Sequence, residues 1–206
     1  MDDSTLKSAP SFWGLASNVP QALNFERTRS QINQEIKDLV SRRLLILNTG
    51  GTFGMSSNAK SIRSIDGSNS LASKFRLFPM FHKYSYESSG RHVIVTRAFN
   101  AVEFHYSIVE MDPLIDSSEM RIDLMTKVIQ ALQRYFNAYD YFIVIHGTDT
   151  MEHTASALSF LIKGLSKPII FTGSQVPLLY INNDAYNNFY NCLASLGGVT
   201  SQHSNQ

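Results

Sequence analysis

Three apolar runs in this chain end alike, on small and hydroxyl-bearing residues: "LLILNTGGT" (44–52), "YFIVIHGTDT" (141–150) and "KPIIFTGSQ" (167–175). Short continuous apolar runs that meet glycine predict strands buried on both faces. Such strands belong almost only to parallel sheets covered by helices. Helical patterns lie between them. "RIDLMTKVIQALQRYFNAY" (121–139) puts Ile122, Met125, Ile129, Leu132 and Phe136 on one stripe. "TMEHTASALSFLIKGL" (150–165) turns Ala155, Leu158 and Ile162 inward, and "NDAYNNFYNCLASLGG" (183–198) predicts a helix stopped by Gly197 and Gly198. The β-branched and aromatic segments 92–99 and 101–110 predict two more strands. The expected fold class is α/β, with a largely parallel sheet flanked by helices.

The first part of the chain reads differently. "SAPSFWGLASNVPQ" is loop-like, and 25–43 predicts an amphipathic helix through Ile32, Ile36, Leu39 and Val40. The expected organisation is an extension over 1–43 and an α/β domain over 44–206. Residues 55–74 are serine-rich and long for a connection, as suited to a lid as to a plain surface loop. The aromatics Phe75, Phe78, Phe81, Tyr84 and Tyr86 are expected to be packing residues.

Charge excludes some partners. The 18 basic and 17 acidic side chains give no electrostatic reason to bind nucleic acid or an anionic membrane. No run approaches the ~18 apolar residues of a membrane span. The N-terminus has no apolar leader, and Cys192 is the only cysteine, so a cytoplasmic protein is expected. Phosphate-loop, dinucleotide, serine-elbow and metalloprotease motifs are absent. His146 and His153 are poorly placed for a metal; no metal and no cofactor is expected. His146 reads as a hydrogen-bonded structural histidine and Cys192 as a packing residue.

The chemistry is expected where the three glycine tips converge, since ligands of open parallel sheets bind beyond the carboxyl ends of the strands. Thr49 and Thr52 flank the glycine pair of the first tip. Thr148, Asp149 and Thr150 sit where the 150–165 helix begins. By itself "TDT" is explained by helix capping through Asp149 or Thr150. Beside two similar tips it points to a site built from threonine, serine and aspartate.

"NTGGTFGM", "IDSSEM", "HGTDTMEHTASALSF", "KPIIFTGSQVPL" and the stretch "LFPMFHKY" together resemble L-asparaginases of the bacterial cytosolic type, shared with eukaryotic asparaginase/lysophospholipase-like proteins. The resemblance runs from about Leu44 to about Leu193. It implies a flavodoxin-like N-terminal α/β domain and hydrolysis of asparagine to aspartate and ammonia, in a homo-oligomeric family. By the same resemblance, Thr52 is the nucleophile, and Thr148 and Asp149 belong to the proton relay. Asp116, Ser117 and Ser118 hold the substrate's α-amino and α-carboxylate groups. Gly51 and Gly147 line the substrate, with turn amides available to an oxyanion.

The pattern is also departed from. The relay lysine of the family has no counterpart up to Gln206, residues 53–74 hold no tyrosine, and Ala185 replaces a glycine. The expectation is therefore a C-terminally truncated domain with weak or no activity, because acid–base assistance is worth ~10²–10⁴-fold. The alternative is a catalytically silent asparagine-binding or interaction protein with the same fold.

Overall fold

The computed structural model describes residues 41–55, 70–100 and 102–203. Residues 25–40 of the helix expected over 25–43, and residues 56–69 of the 55–74 stretch expected as a lid or a surface loop, lie outside the described residues. In chain order the elements are β1 (Ser41–Gly50), α1 (Leu71–Phe75), β2 (Tyr84–Ser88), β3 (Arg91–Val95), β4 (Glu103–Ile115), α2 (Ile122–Tyr135), β5 (Tyr141–Ile145), α3 (Met151–Leu161), β6 (Ile169–Thr172) and α4 (Ala185–His203). Short 3-10 turns cover Thr52–Gly54 and Ser117–Glu119.

The six strands form one sheet in the order β2-β3-β4-β1-β5-β6. Strands β4, β1, β5 and β6 run parallel, and β3 and β2 extend the β4 side antiparallel. The central strand explains the layering. Leu44, Leu45, Ile46 and Leu47 are all 0% exposed, so both faces of β1 are covered. Leu44 and Ile46 join Phe75, Phe81, Phe104, Ile143 and Phe189 in one core, on the α1 and α4 side. Leu45 and Leu47 join Val128, Leu132, Phe142, Val144 and Leu158 on the α2 and α3 side. The period of two along a strand sends neighbours to opposite layers. Truncating any of these leucines to alanine would cost ~2–5 kcal/mol.

Several expectations need correction. β1 begins at Ser41, so 41–43 are strand rather than the end of a helix. The last residues of the serine-rich stretch form α1, capped by the Ser70 hydroxyl, which accepts from Ser73 N at 3.2 Å. Tyr84 and Tyr86 are not packing residues: they lie exposed on the edge strand β2. Phe75 and Phe81 are fully buried, and Phe78 packs against the same core. On α2 the buried line is Leu124, Val128 and Leu132, and Ile122 is 81% exposed. On α3 the buried residues are Thr154 and Leu158. Gly197 and Gly198 do not stop α4, which runs through both. A Cβ at Gly197 would sit 2.6 Å from the Phe99 carbonyl oxygen. That glycine allows close packing and does not end the helix.

The carboxyl end of β1 is irregular. Asn48 pairs with Glu110 but Gly50 pairs with Ile115, so β4 bulges between these pairs. The bulge contains Pro113, whose missing N–H is tolerated off the regular ladder. It carries the Asp116 turn up to the ends of β1 and β5.

Candidate active site

The turns after β1, β4 and β5 are packed backbone against backbone. Gly51 N donates to Ile115 O at 3.0 Å. Gly51 has φ +75°, and a Cβ there would lie 2.5 Å from Gly147 Cα. A Cβ at Gly147 would in turn lie 2.4 Å from Ser117 Oγ. Only glycine serves at these two contacts, for conformation at the first and for space at both. The first and second glycine tips and the "IDSSEM" turn thus meet in one place.

Ser117 is the joint. It is 3% exposed, and its Oγ accepts from Asp149 N at 3.2 Å. Its carbonyl accepts from Thr150 Oγ1 at 2.7 Å. Thr150 occupies the N-cap position of α3 without capping it through its side chain. Its hydroxyl is committed to the β4 turn, so capping does not account for "TDT". Asp149 itself is exposed.

Asp116 and Ser118 are both exposed in the same turn. Asp116 Oδ1 accepts from Ser118 N at 3.0 Å and from Ser118 Oγ at 2.9 Å. These bonds, the backbone one first, hold the Asp116 carboxyl below the usual carboxylate range. It therefore stays anionic at neutral pH. Thr148 is half-buried, and its Oγ1 accepts from Gln175 Nε2 at 3.0 Å.

The two threonines of the first tip separate cleanly. Thr49 is 1% exposed, and its hydroxyl donates to Ile145 O at 3.0 Å, bridging β1 to β5. Thr52 is half-buried and opens the 3-10 turn directly after Gly51. The next residue, Phe53, is 0% exposed and meets Phe75 and Phe189 edge-on at 6.2 and 6.4 Å.

Sequence reasoning missed two supporting residues. Gln175 holds the Thr148 hydroxyl, and Asp184 holds Gln175. The Asp184 carboxylate accepts from Gln175 N and Val176 N, both at 2.9 Å, and from Asn188 Nδ2 at 3.2 Å. Burial pushes its pKa up, but these bonds outweigh burial and the net shift is down. The signal for Gln175 was present in the "FTGSQ" tip, and Asp184 stands in the family-like stretch directly before Ala185, where the pattern gave it no role. His146 is buried as expected, its Nδ1 lying 2.7 Å from Gly147 O. Burial lowers its pKa, so it is neutral. Cys192 is buried in the α4 core, also as expected. Among the described residues no three His, Cys, Asp or Glu side chains are grouped to hold a metal ion, and no helix is long and apolar enough to cross a membrane.

Comparison with known proteins gives this geometry a context. The family model described as "Asparaginase, N-terminal" matches residues 43–203. The chain belongs to the asparaginase family. It is 36% identical over 160 residues to a mouse protein named 60 kDa lysophospholipase, covering 76% of this chain and 28% of that one. It is 33% identical over 152 residues to L-asparaginase 1 of Escherichia coli K12, covering 74% of this chain and 39% of that one. The crystal structure of L-asparaginase I from Vibrio cholerae superposes with a TM-score of 0.58 at 32% identity, over 75% of this chain and 40% of that one. This asparaginase-family chain thus spans well under half the length of those three relatives. The flavodoxin-like asparaginase N-terminal α/β architecture expected from the motifs is the one observed.

Proposed function

We propose that this chain carries the nucleophile-bearing half of an L-asparagine amidohydrolase. The observation that carries the reading is the packing of Gly51 against Gly147 and of Gly147 against Ser117, which joins the turns that bear Thr52, Thr148, Asp149 and Asp116. Thr52 Oγ attacks the side-chain amide carbon of asparagine. The Oγ–C bond forms, the C–N bond breaks, and ammonia leaves with the hydroxyl proton, giving an aspartyl ester. Water then cleaves the ester and returns the proton to Thr52. Turn amides beside Gly51 and Gly147 stabilise the oxyanion.

The surrounding groups suit this chemistry. Thr148 accepts from Gln175, which leaves its own proton to donate toward the reacting groups. Asp149 and Asp116 offer exposed carboxylates to the substrate ammonium. Ser117 offers a hydroxyl donor to the α-carboxylate, since its oxygen accepts from Asp149 N and still carries a proton, and Ser118 turns its proton to Asp116 and so sets that carboxylate for the ammonium. The protein works in a reducing, cytoplasmic compartment.

The test is ammonia release from asparagine by the purified chain and by Thr52→Ala, with calorimetry beside it. Slow release that Thr52→Ala abolishes supports the reading. Release that survives Thr52→Ala overturns the nucleophile, and binding without release makes the chain a silent asparagine binder. Because a mouse relative is named a lysophospholipase, lysophosphatidylcholine belongs in the same substrate panel. Hydrolysis of that ester alone would overturn the amide reading.

A further inference from the structure

The turn that bears Thr52 is held at three consecutive carbonyls. Thr52 O accepts from Met55 N at 3.0 Å, which closes the 3-10 turn itself. Phe53 O accepts from Leu178 N at 3.1 Å, which ties the turn to the segment after β6. Gly54 O accepts from Lys74 Nζ. The last donor is unlike the other two. It is a charged side chain from α1, twenty residues on in the sequence, and Lys74 is only 5% exposed.

A buried lysine without a defined task is costly, because an ammonium loses its hydration on burial. Burial lowers the Lys74 pKa, and the Glu110 carboxylate on β4 draws it back up. Glu110 Oε1 also accepts from Leu71 N at 2.7 Å, which fixes the start of α1 to the sheet. The chain of contacts thus runs from β4 through α1 to the turn that follows β1. Methionine would fill the same space without a charge, yet a donor stands here. Its one described acceptor is a backbone carbonyl two residues beyond the candidate nucleophile.

We propose that Lys74 is a positioning residue that fixes the Thr52 turn, and through it the attack geometry of the Thr52 hydroxyl. The inference rests on the amidohydrolase reading for its catalytic consequence and on the Gly54 contact for the positioning itself. Lys74 does not touch the reacting atoms. It removes a freedom of the backbone that Thr52 shares. Displacements of about an ångström in such seats cost on the order of 10²-fold in rate.

The experiment compares the full chain with Lys74→Met, which keeps the volume and loses the donor, and Lys74→Arg, which keeps a charged donor. Two readouts are taken: amide hydrogen exchange of the peptide over 52–55, and ammonia release from asparagine. In Lys74→Met, exchange over 52–55 should rise roughly two- to tenfold. Exchange in β1 and β5 should stay as it was. The kcat should fall roughly 10–100-fold with KM nearly unchanged, and Lys74→Arg should restore part of both.

Unchanged exchange over 52–55 in Lys74→Met would overturn the proposal. So would a rise spread evenly through β1 and β5, which marks a purely structural role. A KM increase at constant kcat would also overturn it. If the unaltered chain releases no ammonia, the amidohydrolase reading fails, and the exchange result decides by itself whether Lys74 pins the turn. If Lys74→Met does not fold, the same readouts on Lys74→Leu decide: local loosening over 52–55 supports the pin, and parent-like exchange there with lowered protection elsewhere overturns it.

Discussion

Thr49 and Thr52 are three residues apart in one glycine turn, yet the fold gives them opposite uses. Thr49 spends its hydroxyl on Ile145 O inside the sheet, whereas Thr52 opens the turn beyond it. Thr49→Val should therefore cost ~1–3 kcal/mol of stability in denaturant unfolding, while ammonia release per folded molecule is kept. Thr52→Ala should do the reverse, with an unchanged unfolding midpoint and no release. Gln175→Leu belongs at the same scale. It leaves the Thr148 hydroxyl without its donor, and we expect kcat to drop roughly tenfold or more with little change in Tm. The sequence pattern could not separate the two threonines of the turn, because both are hydroxyls beside glycine. Only the resemblance favoured Thr52, and the burial of Thr49 is a three-dimensional reason for the same choice. Gln175 and Asp184 were not legible as a pair, since nine residues and a turn separate them in the chain.

At the scale of elements, the apolar runs were readable because parallel strands buried on both faces leave few other interpretations. The parallel strands β1, β5 and β6 and the helices α2, α3 and α4 all follow from those runs and the 3.6-residue patterns between them. Edge strand β2 was not readable. Its five residues are exposed, so no alternation of burial marks it. Gly197 misled for a related reason: a glycine that ends a helix and one that lets a helix approach a neighbour look alike in sequence. Gly197→Ala tests the close approach. Helix propensity favours alanine by ~1 kcal/mol, so within a helix that had open space beside it the change would be neutral or stabilising. Here the new Cβ would meet Phe99 O at 2.6 Å, and we expect thermal melting by circular dichroism to show a Tm lower by several degrees.

For the whole molecule, acid is expected to destabilise in two windows. His146 is buried and neutral, with its folded pKa depressed by burial, and His82 is shifted the same way. The unfolded chain therefore binds more protons, and stability is lost as pH falls from about 6.5 toward the depressed folded values. Asp140 and Asp184 have folded pKa values below the ordinary range. For Asp140, burial pushes the pKa up, and the Arg43 guanidinium and backbone N–H outweigh it. Their contribution is full above the unfolded pKa of about 3.9 and is lost as pH falls through the folded values. Urea unfolding across pH should show both declines, and His146→Leu should flatten the upper one while leaving the lower one in place. The Arg43–Asp140 pair is reciprocal: Asp140 N donates back to Arg43 O at 2.8 Å, fixing the start of β5 to that of β1.

The central claim is that the hydroxyl of Thr52 forms the covalent bond. Its most direct test is to mix the chain with asparagine, quench in acid, digest, and weigh the peptide that contains Thr52. The account predicts an aspartyl ester on Thr52, present in Thr49→Val and missing from Thr52→Ala. An ester on Thr148 or Ser117 instead, or ammonia released with no acylated residue at any quench time, would contradict it.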